Sequence, residues 1–227
     1  MINKINHKLI LSFTILTFFL LALYGSGIIP KNFLSTFTCL FFILTIGISH
    51  GSLDNIKGNK ILKYYKIKHN FIFYLSYISL AFLVILIWTF FPTTALVLFL
   101  ITAAYHFGKE DCWSVPINKS FLNIFKFFLK GLLIILTPLW LSFDETILIF
   151  KTLGVKNQEF YNFLIFINLN KFLLFLIVIS IISNILINRE LKYLKRFSVE
   201  IFCILGLYNA FNPLVAFTIY FCFLHSL

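Results

Sequence analysis

The chain has 227 residues, of which 60% are hydrophobic and 12% charged, with a formal net charge of +11. Ordinary soluble domains hold about 45–50% apolar and about 25% charged residues, and much of any folded surface must face water. A soluble enzyme, a secreted disulfide scaffold and a disordered binding tail are therefore excluded. The excess apolar surface faces lipid, and at about 20 residues per spanning helix the length accommodates roughly seven or eight spans. The sequence predicts an all-α, polytopic integral membrane helix bundle of about eight transmembrane helices, forming a single domain over residues 1–227.

In chain order, residues 9–29 form the first apolar run, preceded by Lys4, His7 and Lys8, and they read as a retained span rather than a cleaved signal. The second run is 33–50. A polar loop over 51–69 follows, with Lys57, Lys60, Lys63, Lys66 and Lys68. Runs three and four are 71–91 and 92–107, divided at Pro92. A polar loop reaches about residue 120. The fifth run is 121–143, with Lys126 and Lys130 near its start and Pro138 near its end. Residues 144–170 mix apolar stretches with Asp144, Glu145, Lys151, Lys156 and Glu159 and are placed largely at the membrane interface. The sixth span is 171–187, and a basic loop with Arg189, Lys192, Lys195 and Arg196 leads to runs 199–211 and 213–227.

With both termini inside, 15 of the 19 basic residues fall on the cytoplasmic side, counting Lys126 and Lys130 as reaching it by snorkelling. The positive charge is then an orientation signal and implies no nucleic-acid partner. The 31 phenylalanines fit either an aromatic ligand pocket or the codon drift of an AT-rich genome. Cys39, Cys112, Cys203 and Cys222 form no C-x-x-C pair and read as small hydrophobes.

His7 and His69 lie in polar flanks. His50, His106 and His225 are different: each sits near the end of an apolar run, in spans two, four and eight, which all cross in the same direction. At 1.5 Å per residue they lie about 26, 21 and 18 Å from the outer start of each span, so all three fall in the inner half of the bilayer. Ionisable residues inside spans are costly and face a partner. That partner is a backbone carbonyl or hydroxyl for each ring separately, or one metal ion for all three.

Two segments share a pattern, Gly47-Ile48-Ser49-His50-Gly51-Ser52-Leu53-Asp54 and Ala104-Tyr105-His106-Phe107-Gly108-Lys109-Glu110-Asp111. In both, a histidine is followed by glycine and then, four or five residues on, by aspartate. Asp54 and Asp111 can each return to accept a hydrogen bond from the far imidazole nitrogen and fix its tautomer. Equally, Asp54 can be a turn or cap residue and Asp111 a solvated charge.

His50-Gly51-Ser52-Leu53-Asp54 and Ala104-Tyr105-His106-Phe107-Gly108 resemble blocks of the Brp/Blh family of bacterial membrane β-carotene 15,15′-dioxygenases. Lys130-Gly131 with Thr137-Pro138-Leu139, and Asn212-Pro213-Leu214 through His225-Ser226, resemble later and less specific blocks of that family. The resemblance runs from about residue 45 to the end. It implies cleavage of β-carotene by dioxygen at the central double bond, giving two retinal molecules at a non-haem Fe(2+) held by histidines. Carried over, His50, His106 and His225 would be the iron ligands. The resemblance also implies a bacterial inner-membrane location and an opsin as downstream recipient of retinal, while the charge distribution above implies a cytoplasmic N-terminus. Tyr105, Phe107 and Tyr220 stand beside the expected ligands, where they line a substrate channel or pack against lipid and core. The family's fourth histidine would fall two positions past Leu227, and the last apolar run is short, so a missing C-terminal end is expected. Two other readings compete: a haem-binding electron-transfer protein ligated by His50 and His106, and a non-catalytic membrane scaffold or transporter.

Overall fold

The computed structural model of the chain describes residues 2–51, 54–64, 70–111, 121–187 and 191–226. Among the described residues the secondary structure is helical throughout: α1 (Ile2–Gly25), α2 (Thr36–Gly51), α3 (Asp54–Tyr64), α4 (Asn70–Phe90), α5 (Pro92–Glu110), α6 (Phe121–Leu141), α7 (Phe143–Thr152), α8 (Gln158–Leu169), α9 (Phe172–Ile187), α10 (Leu191–Ala210) and α11 (Pro213–Tyr220), closed by a π-helical turn, Phe221–His225. A bilayer offers no water to the backbone, so helices that satisfy their own N–H and C=O groups are what such a composition must form.

Three helices are each long and apolar enough to cross a membrane, over Lys8–Gly25, Phe71–Phe90 and Asn123–Leu141. A bent pair, Gln158–Asn168 with Phe172–Leu186, passes the same test together, and Thr36–Ile46 and Pro213–His225 are shorter apolar helices. The 65° bend of the pair falls at Lys171, which takes a left-handed backbone with φ 54°. The protein is an all-α membrane helix bundle. Its α10 is too charged to stand out by composition, with Lys192, Lys195, Arg196 and Glu200 in one helix.

The tightest packing joins α5 to α6. Association inside lipid gains little from hydrophobic burial and relies on close backbone approach at small residues. Gly108 and Gly131 supply it. A Cβ on Gly108 would overlap the Phe127 carbonyl, and one on Gly131 would overlap the Ala104 carbonyl. These two pairings, with position falling on α6 as it rises on α5, make the helices antiparallel.

Around this pair are two packed regions. One gathers α1, α10, α11 and the π turn through residues such as Phe13, Leu207, Phe211 and Ile219, and includes Cys39, Cys203 and Phe107. The other gathers α6 to α9 with the start of α10 through Leu133, Phe150, Leu173, Tyr193 and Phe197. The free, buried state of Cys39, Cys203 and Cys222 agrees with their reading as small hydrophobes, while Cys112 lies outside the described residues. Residues 144–170, expected largely at the membrane interface, hold two short helices, the second of which belongs to the bent pair above. Of these, α7 buries Thr146, Ile147 and Phe150, and Tyr161 of α8 donates to the Val155 carbonyl at 2.7 Å.

Away from the histidines, a polar clasp joins the α1–α2 loop, α7 and the α10–α11 turn. Lys31 Nζ meets Glu145 Oε1 at 2.7 Å, and Asn212 Nδ2 donates to Glu145 Oε2 at 3.0 Å. Asn212 also caps α11 by accepting from the Leu214 N–H at 3.0 Å, ahead of Pro213, whose missing N–H costs nothing at a helix start.

Candidate functional site

The π turn at the end of the chain brings His225 against α5. The ring centres of His106 and His225 are 5.2 Å apart at 72°. Two of the three predicted ligands thus meet. His106 is exposed, while His225 is 5% exposed. The third, His50, stands one residue from the end of α2, and Asp54 opens α3, but the side chains of both lie outside the described residues. Helix α2 packs on α11 and the π turn, which puts the helix bearing His50 beside the element bearing His225.

His225 is held by its surroundings on several sides. Its Nδ1 lies 3.0 Å from Asp111 Oδ1, and the other carboxylate oxygen, Oδ2, accepts from the Tyr220 hydroxyl at 2.5 Å. The Phe107 ring meets the imidazole edge-on at 4.7 Å between centres, and Phe221 stacks at 5.8 Å. The π turn sets this geometry. The Ser226 N–H reaches back five residues to the Phe221 carbonyl at 2.9 Å, and such a widened turn rotates the following side chains relative to an α-helix.

Asp111 therefore serves a histidine that the repeated His-Gly-Asp spacing does not indicate. The spacing suggests that Asp111 returns to His106 of its own segment, whereas its Oδ1 bonds His225, 114 positions downstream. The reason is local. Residue 111 is the C-cap of α5, its N–H bonded to the Phe107 carbonyl, and from there its side chain meets the π turn. With Nδ1–H donating to a carboxylate, the neutral ring keeps its lone pair on Nε2, the tautomer suited to binding a metal ion.

Lys126 and Lys130 correct a second expectation. Neither snorkels to water. Lys126 is fully buried with its Nζ over the Tyr193 ring at 4.8 Å. Lys130 Nζ lies 2.8 Å from Glu200 Oε2, and their side chains are only 6% and 8% exposed. Lys130 also donates to the Asp111 main-chain carbonyl at 2.7 Å. The sequence reading missed Glu200 and the inward turn of Lys130; a charge in the middle of an apolar helix was the available signal.

A cavity of about 180 Å³ adjoins the site and is almost wholly apolar, with Leu96, Ala103, Ile134, Pro138, Leu214 and Phe217 among its walls. Phe107 belongs to the same wall, so one ring borders the cavity and also touches His225. Of the three aromatic residues expected along a channel, Phe107 lines this cavity, Tyr220 is fully buried and bonded to Asp111, and Tyr105 lies under the Lys109 ammonium at 5.9 Å.

The donor set can be tested against iron. Metal–nitrogen bonds of about 2.1 Å put two adjacent ligand rings roughly 4.6–5.3 Å apart, and the observed separation is 5.2 Å. Neutral imidazoles also suit ferrous iron. His106 and His225 fit such a site, although among the described residues no three His, Cys, Asp or Glu converge on one point. No curated protein and no solved structure matches the chain. The family model described as beta-carotene 15,15′-dioxygenase matches residues 41–227, more than half of the chain, and the chain belongs to that family.

Proposed function

We propose that this protein cleaves β-carotene with dioxygen at the central 15,15′ double bond, giving two molecules of retinal, at a non-haem Fe(2+) held by His50, His106 and His225. The observation that carries this reading is the position of Phe107, between an apolar cavity and the carboxylate-braced His225. When bound, the iron would supply the activation of dioxygen. The protein's own residues bind and orient.

The cavity suits an apolar rod. It is smaller than the roughly 300–1,000 Å³ of a site that encloses a whole ligand, and two of its lining residues, Phe99 and Leu153, are 58% and 44% exposed. A segment of polyene enters, and the remainder stays in the bilayer that delivers it. Placement of one double bond beside the imidazoles then sets the cleavage position, with Phe107 as the wall that limits approach. Asp111 and Tyr220 hold the His225 ring, and Asp54 is assigned the same task for His50.

The test is expression of the full chain in bacteria that accumulate β-carotene. Loss of orange colour with appearance of retinal is the expected result, and His106→Ala or His50→Ala abolishes it. Unchanged pigment with correctly inserted protein overturns the activity. Normal retinal formation by either variant overturns the ligand assignment.

A further inference from the structure

The buried pair Lys130–Glu200 has no part in the reading above. Both residues lie mid-helix, in α6 and α10, with side chains only 6% and 8% exposed. Removing two charges from water costs several kcal/mol per ion, and an apolar pair of similar volume often serves stability as well or better. Stability alone is therefore a poor reason for the pair, and an ionisable group inside a membrane bundle points to a function.

The geometry shows where that function acts. The ammonium that meets Glu200 also donates to the Asp111 carbonyl. Carbonyls in the last turn of a helix have no partner within the helix, and Lys130 supplies one at the C-cap of α5. The side chain of the same residue divides its two oxygens between His225 and Tyr220. Lys130 thus grips the backbone of Asp111 while the carboxylate grips the imidazole. A space of about 20 Å³ beside the pair is bordered by Asp111, Lys130, Tyr193, Arg196 and Glu200. That is room for one water molecule, so the cluster is a brace and not a second substrate site.

We propose that Lys130, anchored by Glu200, is a positioning residue that fixes Asp111 so that its carboxylate keeps the His225 proton on Nδ1. The consequence for metal binding rests on the reading of His225 as a ligand; the tautomer itself does not.

The experiment uses the metal-free full chain, labelled with 15N-histidine, in nanodiscs at pH 8. The His225 signal is identified by its loss in His225→Gln. The expected wild-type ring is Nδ1–H. A hydrogen bond to a charged group favours one form by about tenfold or more, so the ratio of Nδ1–H to Nε2–H falls by about that factor in Lys130→Met/Glu200→Leu, which leaves no buried charge unpaired. The exchange Lys130→Glu/Glu200→Lys keeps an ion pair but puts an acceptor against the Asp111 carbonyl, and the same fall is expected. Lys130→Arg keeps a donor and retains the wild-type ratio. A purely structural pair predicts the reverse for the exchange variant, with the tautomer restored. A wild-type ratio in either double variant, or an Nε2–H ring in the wild type, overturns the proposal. Because the readout needs no iron and no carotene, failure of retinal formation leaves it intact, and its own failure leaves the proposed activity standing.

Discussion

Asp111 and His225 are 114 positions apart in the chain, yet Oδ1 of one lies 3.0 Å from Nδ1 of the other. This contact ties the end of α5 to the π turn, and it sets which imidazole nitrogen is available. Removing a partner that orients a ligating histidine typically costs about 10–100-fold in metal affinity or activity. Asp111→Asn places an amide where a carboxylate stood, and is expected to lower both retinal formation and bound iron by that factor without loss of inserted protein. Iron content per chain and retinal yield, measured together, check it.

Phe107 separates the apolar cavity from His225. Phe107→Leu keeps an apolar residue and most of the volume, so the bundle is expected to survive at a cost of about 1–2 kcal/mol or less. The wall beside the imidazoles is then lower. Chromatography of the products is expected to show longer apocarotenals beside retinal, from cleavage at off-centre double bonds. Retinal as the sole product from a folded variant would remove Phe107 from control of the cleavage position.

Gly108 and Gly131 face neighbouring carbonyls with no room for a Cβ. The obstruction is backbone, which cannot rotate aside as a side chain can. Either glycine changed to alanine is expected to separate α5 from α6 at a cost of about 1–3 kcal/mol or more, and Gly131→Leu to abolish the folded bundle. Thermal unfolding in detergent, followed by size-exclusion chromatography, reads this directly. Gly25 has open space around it, so Gly25→Ala serves as the control that changes little.

The two ion pairs are expected to differ sharply in their response to mutation. Lys31–Glu145 is partly exposed, with side-chain accessibilities of 41% and 35%, so Lys31→Met costs about 1 kcal/mol or less. Lys130→Met alone strands the Glu200 carboxylate in the bundle, and breaking a buried pair in this way costs about 3–5 kcal/mol. Adding Glu200→Leu recovers most of that loss. Unfolding midpoints of the four proteins, compared under one set of conditions, test the contrast.

The helical membrane class and the buried cysteines were legible in the sequence because each rests on local information. Apolar runs report lipid, while the 5.2 Å between the ring centres of His106 and His225 is a matter of packing between α5 and the π turn. The His-Gly-Asp repeat was equally visible, but its pairing was not. A carboxylate at a helix end can serve any imidazole that packing brings near, and the choice of His225 over His106 depends on the π turn and on the ring contacts of Phe107 with Phe217 and Tyr220. Lys126 and Lys130 show the same limit. In an isolated helix a lysine gains by reaching water, while in the bundle Tyr193 and Glu200 of α10 offer closer partners. Sequence alone determined that the chain folds as apolar helices and which polar residues those helices carry. Tertiary structure decided which of those residues touch, because in lipid that choice is made by close backbone approach at positions such as Gly108 and Gly131, and by polar groups that must find partners where there is no water.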